Sequence, residues 1–189
     1  WIVNDNYKYD FWCWEKIFSK SEIEKVNLVC EKNYETSFTD FSAVGVTKTA
    51  EVKGIFWGNI KSILNHIDDI WRHTNAEQFG YNLFNTSDND LWNINTYDCK
   101  NHGNYDFHYD ATHNHVNDIK LTGILNISNQ SYEGGEFIAF FGGKFQEIKE
   151  LSKPGSSVLL NNKVLHKVNP VTKGIRKTIS YWYKGPKFI

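Results

Sequence analysis

Asn104-Tyr105-Asp106-Phe107-His108-Tyr109-Asp110 is the stretch from which the rest of the chain is read. In a strand, side chains two apart point the same way, so His108 and Asp110 present an imidazole and a carboxylate to one point on one face. A third ligand from a distant strand would complete a 2-His-1-carboxylate facial triad. That set leaves open positions on non-haem Fe(II) for a co-substrate and oxygen. His166 is the candidate. The tripeptide alone is weak evidence, because His-x-Asp arises by chance in many chains; its surroundings decide.

Outward from this stretch, everything after Gly80 reads as β. Tyr81 to Asn85 and Leu91 to Asp98 are expected strands across a polar turn at 86–90, and residues 99–104 connect into the His108 strand. Beyond Asp110 a polar loop carries His113 and His115, read as solvated, and Ile119 to Ser128 is β-rich. Tyr132 to Glu136 turns into Phe137 to Phe141, and Ser157 to Leu160 is a buried strand. Asn161-Asn162 supplies the positive φ values of a hairpin. Val164, His166 and Val168 then share a face, and Ile175 to Tyr183 closes the chain.

Upstream, Ser21 and Glu24 fit a capping box, with Ile23, Val26 and Cys30 on one face of a helix from about 21 to 32. Asn33 to Phe41 is expected to be a loop, and Ala43 to Ile55 one or two strands. Ile60, Ile63, Leu64, Ile67, Ile70 and Trp71 recur at threes and fours, predicting a scaffold helix over 58–74 that contains His66 and His73. Two helices followed by about eight strands, without βαβ alternation, argue for a mainly β fold with flanking helices, a double-stranded β-helix or jelly-roll barrel resembling a cupin. Residues 1–189 are read as one domain, with a helical lead-in over 1–79 and a β-barrel core over 80–189.

Composition narrows the partners. With a net charge of −1, the 189-residue chain has no global pull toward nucleic acid or anionic membrane. It lacks the run of about 20 apolar residues that a membrane helix needs and a charged-then-apolar leader, so the expectation is a soluble, cytoplasmic protein. Cys13, Cys30 and Cys99 are odd in number and lack metal or redox spacing, and read as reduced thiols. Of 21 basic residues only Arg72 and Arg176 are arginine. Arginine makes a planar fork for carboxylates that lysine cannot copy. Arg176 lies ten residues after His166 with a turn between, and hairpin geometry puts it on the neighbouring strand, with Thr178 and Ser180 facing the same way.

The ordered set of Tyr97, His102-Gly103, Tyr105, His108-Tyr109-Asp110, Tyr132 to Glu136, Pro154-Gly155, His166 to Arg176 and Trp182 resembles the Fe(II)/2-oxoglutarate dioxygenases of the prolyl 4-hydroxylase-like group. The resemblance implies His108, Asp110 and His166 as iron ligands and Arg176 as anchor for the distal carboxylate of 2-oxoglutarate. It places Tyr97 where a phenol meets that co-substrate and Tyr105 beside the metal, and Thr178 or Ser180 could add a hydroxyl. Lysine is the common anchor in prolyl 4-hydroxylases proper, and arginine is frequent in related branches. The implied activity is hydroxylation of a peptidyl or free amino-acid side chain, prolyl first, with succinate and CO2 as co-products and ascorbate as a candidate further requirement. Two other readings remain: a nucleic-acid demethylase of the same superfamily, against which the lack of a second arginine past the anchor argues, and a non-catalytic barrel that binds metal or ligand. Oligomeric state is open.

Overall fold

The computed structural model describes residues 9–43, 46–110 and 118–187. Its strands are β1 (Phe11–Trp14), β2 (Thr36–Ala43), β3 (Val46–Phe56), β4 (Leu91–Asp98), β5 (Asn104–His108), β6 (Asp118–Asn126), β7 (Glu133–Gly134), β8 (Phe137–Phe141), β9 (Lys144–Glu147), β10 (Ser157–Asn161), β11 (His166–Val168), β12 (Val171–Lys173) and β13 (Ile175–Gly185). Helices α1 (Lys20–Asn33) and α2 (Trp57–Thr74) complete the frame, α2 running on into a π-helical turn at Asn75–Phe79. The main sheet has the order β1-β10-β6-β13-β4-β3-β5-β11-β8-β9, with β2 hydrogen-bonded to β3, and its neighbours pair antiparallel. It curls until β13 faces β11 across a shared pocket. This is the mainly β, double-stranded β-helix architecture with helices on one side.

Period-two alternation divides the sheet between two cores. On β13, Ile179, Tyr181 and Tyr183 turn outward to the helices, while Arg176, Thr178, Ser180 and Trp182 turn into the curl. The outer core is built on α2: Trp57 and Trp71 stack on Trp92 with centroids 4.7 and 5.8 Å apart, and Trp92 stacks on Tyr181 at 4.8 Å. The inner core gathers Tyr97, Phe137, Val158, Leu160 and Val168 at one end of the pocket.

Four local expectations are corrected. Helix α1 starts one residue earlier than expected, capped by Ser19 and Glu22 rather than Ser21 and Glu24: Ser19 N donates to Glu22 Oε2 at 2.7 Å and Glu22 N to Ser19 Oγ at 3.3 Å. Residues 36–43 are a strand, not a loop, because pairing with β3 supplies hydrogen bonds that a sequence poor in aliphatics does not advertise. Tyr81 to Asn85 is not a strand: the Asn75 side chain satisfies the Tyr81 backbone on both sides, and Phe84 N donates to Lys184 O. Asn161-Asn162 does not have positive φ, since β10 and β11 lie on different walls and the segment between them is a crossing rather than a hairpin. The lead-in 1–79 is likewise not purely helical, as β1, β2 and β3 all join the main sheet.

Candidate metal centre

His108 ends β5 and is the Cα partner of His166 on β11, so the two imidazoles meet across one ladder with centroids 4.2 Å apart. Asp110 lies two residues past the end of β5 and completes the group: its carboxylate is 3.7 Å from His108 Nε2 and 3.5 Å from His166 Nε2. One ligand atom from each residue lies within 4.8 Å of the others, and the three side chains are buried. Both rings are oriented by the main chain, His108 Nδ1 bonding Asp106 O at 2.7 Å and His166 Nδ1 bonding Val164 O at 2.9 Å. With Nδ1 donating, each Nε2 keeps its lone pair for a cation. Thr122 Oγ1 donates to Asp110 Oδ2 at 2.7 Å and fixes the carboxylate from β6.

Arg176 lies across the pocket from the triad. Its strand neighbours β4 and β6, not the His166 strand as hairpin geometry had suggested. Three strands separate β13 from β11 in the sheet, and the curl brings their inner faces together. The short strand β12 pairs with β7 instead, so the turn at 172–174 closes no hairpin between the two walls. The guanidinium is 1% exposed, and its Nε has no hydrogen-bond partner among the described residues. An unpartnered donor on a buried cation is costly unless something else fills it. Gly135, at φ +68, leaves the space: a Cβ there would sit 2.9 Å from Arg176 Cδ. The other arginine, Arg72, is structural, with Nε on Asp68 at 3.0 Å and Nη2 on Phe84 O at 3.2 Å, tying α2 to the irregular segment after it.

The remaining expected residues also reach this pocket. Tyr97 is buried beside Arg176, whose Cζ is 5.6 Å from the phenol ring centre. Tyr105 stacks on His108 with centroids 3.6 Å apart, and Thr178 and Ser180 line the same wall as Arg176. Tyr109, between the two ligands, faces outward and is 55% exposed. His102 shapes its turn in the left-handed region, at φ 53, and His66 and His73 sit in α2. His113 and His115 lie outside the described residues.

Three pocket residues were missed by the sequence reading: Lys48 from β3, Asn95 from β4 and Thr122 from β6. Only Asn95 left a signal, since polar Asn93, Asn95 and Tyr97 alternate with apolar Trp92 and Ile94 along a strand buried on both faces. Burial dominates the electrostatics. It draws the His108 imidazole down to about 4, helped by His166 and opposed by Asp110, and draws the Lys48 ammonium down to about 8 against the pull of Asp110. It raises the Tyr105 phenol to about 12, with Asp110 adding to the effect, and holds the Tyr97 phenol well above its usual value although Arg176 opposes this. A neutral His108 imidazole and protonated phenols suit a site meant to hold a cation. The cavity between these walls is narrow, about 40 Å³, and opens to solvent.

Residues 92–184 match the family model described as the 2OG-Fe(II) oxygenase superfamily, a span holding His108, Asp110, His166 and Arg176. This stretch, just under half of the chain, is similar to that superfamily. The chain has the fold of solved relatives at low identity. A Pseudomonas putida prolyl-4-hydroxylase superposes with TM-score 0.70 at 14% identity, covering 98% of both chains. A Trichoplax adhaerens prolyl hydroxylase, in complex with a hypoxia inducible factor oxygen degradation domain peptide fragment, gives 0.69 at 16% identity over 96% of this chain and 86% of that one. The viral collagen prolyl hydroxylase of Paramecium Bursaria Chlorella virus-1, in a 2OG complex, gives 0.62 at 15% identity over 94% and 97%. No curated protein matches the sequence. Fe(II) and 2-oxoglutarate are the family's cofactor and co-substrate, and the donor set fits both: two imidazole nitrogens and a carboxylate for the metal, and an unfilled guanidinium donor for a distal carboxylate. Among the described residues no helix is long and apolar enough to cross a membrane.

Proposed function

We propose that His108, Asp110 and His166 ligate Fe(II), that Arg176 anchors the distal carboxylate of 2-oxoglutarate, and that the oxygenase hydroxylates a peptidyl or free amino-acid side chain, prolyl first, with succinate and CO2 as co-products. The carrying observation is the buried Arg176 Nε, unpartnered in the pocket that also holds the triad. With iron and 2-oxoglutarate bound, O2 would be the four-electron oxidant, one of its oxygen atoms leaving in succinate as CO2 is lost and the other entering the substrate C–H as hydroxyl. The chain's own residues bind, orient and exclude water. Asp106 O and Val164 O hold the two rings in the ligating tautomer, and Thr122 holds Asp110. Tyr97 borders the anchor, Thr178 and Ser180 offer hydroxyls along its wall, and Tyr105 covers the face of His108. A prolyl substrate is supported by the prolyl hydroxylases among the structural relatives, one of them carrying a peptide. Trp182 stands on the wall past Arg176, where a second arginine would favour a nucleic-acid substrate.

The test combines two variants and one product. Asp110→Ala should abolish retention of iron on desalting. Arg176→Ala should keep iron and raise the 2-oxoglutarate concentration needed for succinate formation at least about 30-fold, the loss of a charge-assisted bidentate pair. Mass spectrometry across peptide and amino-acid libraries should find a product heavier by one oxygen atom. Wild-type behaviour of both variants would refute the assignment.

A further inference from the structure

Lys48 is a cation in this pocket that makes no ion pair among the described residues, Asp110 attracting it only from beyond contact distance. Its Nζ donates to Asn95 Oδ1 at 2.6 Å and lies 4.7 Å from the centre of the Tyr105 ring. Among the described residues no carboxylate comes within ion-pair distance of it, whereas Lys53, Lys61, Lys153, Lys173 and Lys177 each lie against Glu or Asp. Burying an ammonium against a neutral amide is unfavourable unless a further partner arrives.

The charges of the proposed reading leave one positive charge over: Lys48 and Arg176 bring two, Asp110 removes one, and the two negative charges of 2-oxoglutarate would cancel the two positive charges of Fe(II), counted over the described lining residues. Asn95 is the Cα partner of Thr178, two residues along β13 from Arg176, and passes a hydrogen bond from its Nδ2 to Ser180 Oγ at 3.1 Å, on the side away from Arg176. Lys48 stands beside the Tyr105 ring that stacks on His108, on the metal side of the pocket.

We infer that Lys48 is a specificity-determining residue whose ammonium holds a carboxylate of the substrate, so that the molecule oxidised carries an anionic group close to the reacting C–H, as a free amino acid or the C-terminal residue of a peptide does. The inference rests on the oxygenase reading above and narrows its substrate class. Asn95, held by Ser180, positions the ammonium.

The experiment is calorimetric titration of the Fe(II)- and 2-oxoglutarate-loaded protein under argon, where turnover is silent. The probes are each common amino acid as free acid and as carboxamide, and glycyl dipeptides with free or amidated C-termini, which separate a free amino acid from a peptide end. At least one acid should bind about tenfold or more tighter than its amide, the worth of a charge-assisted contact. Lys48→Met and Lys48→Gln should bring that ratio to about one and leave 2-oxoglutarate affinity within about twofold, while Lys48→Arg keeps the preference. The inference is overturned if no acid in the panel outbinds its amide, if the ratio survives in both neutral variants, or if those variants lose 2-oxoglutarate affinity instead. Succinate formation by the wild-type protein is scored separately: succinate without acid preference removes only the role of Lys48, whereas neither iron retention nor succinate removes the oxygenase reading beneath it.

Discussion

A single neutral hydroxyl holds the carboxylate at the centre of the site. Thr122→Val keeps the shape of the side chain and removes the donor to Asp110 Oδ2, and it should weaken Fe(II) binding by about 10- to 100-fold, measured by competition with a chromogenic chelator. Thr122→Ser should restore most of the loss. Lys48 makes the opposite trade. Its ammonium titrates near 10.5 when unfolded and is drawn to about 8 by burial. Below about pH 8 it is charged in both states and the folded protein carries the full cost; between there and the unfolded value the unfolded chain binds more protons, so stability rises with pH. Lys48→Met should therefore stabilise the metal-free protein at pH 7 by on the order of 1 kcal/mol and flatten that rise, in urea unfolding at pH 7 and 9.5. The difference in legibility between these residues has a physical root. A His-x-Asp pair and one of only two arginines stand out by residue type, but a lysine or threonine is by default a solvated or structural residue, and only its tertiary neighbours say otherwise.

At the scale of elements, the contact between α2 and the sheet depends on an absent side chain. Trp71 packs over Gly123 on β6, where a Cβ would lie 2.4 Å from the indole, and the neighbouring indole stack leaves the ring little room. Gly123→Ala should cost about 1–3 kcal/mol of stability and lower the urea midpoint, because a close-packed core cannot take up the volume without moving the helix. The amphipathic period of α2 is plain in the sequence, as is strand β4, found at Leu91–Asp98 as expected. Strand β2 and the segment 81–85 were not legible. The first draws its order from a neighbour's hydrogen bonds, and the second has its backbone satisfied by the Asn75 side chain rather than by a ladder.

For the molecule as a whole, the site joins walls that are distant in sequence. The triad comes from β5, the segment after it and β11, and β6 holds Asp110 through Thr122. A cation bound there favours the folded state over a chain in which the ligands are scattered. Fe(II) added under argon to 100 times its dissociation constant should stabilise the protein by about 2.7 kcal/mol, seen as a rise in melting temperature that chelator reverses. Asp110→Ala should abolish the rise and Arg176→Ala should retain it.

The sequence by itself determined the residue types of the site, the two helices, the run of strands from Leu91 onward and the absence of parallel crossovers, because each is written in local periodicity or in rare side chains. Tertiary structure alone decided that Arg176 faces His166 across the curl rather than beside it in a hairpin. It also decided that residues 1–79 give three strands to the sheet, and that Lys48 enters the pocket hydrogen-bonded to Asn95 and in no ion pair among the described residues. These are outcomes of closure: a curled sheet sets opposite one another strands that neither chain order nor hydrogen bonding makes neighbours, and nothing in local sequence records which faces will meet.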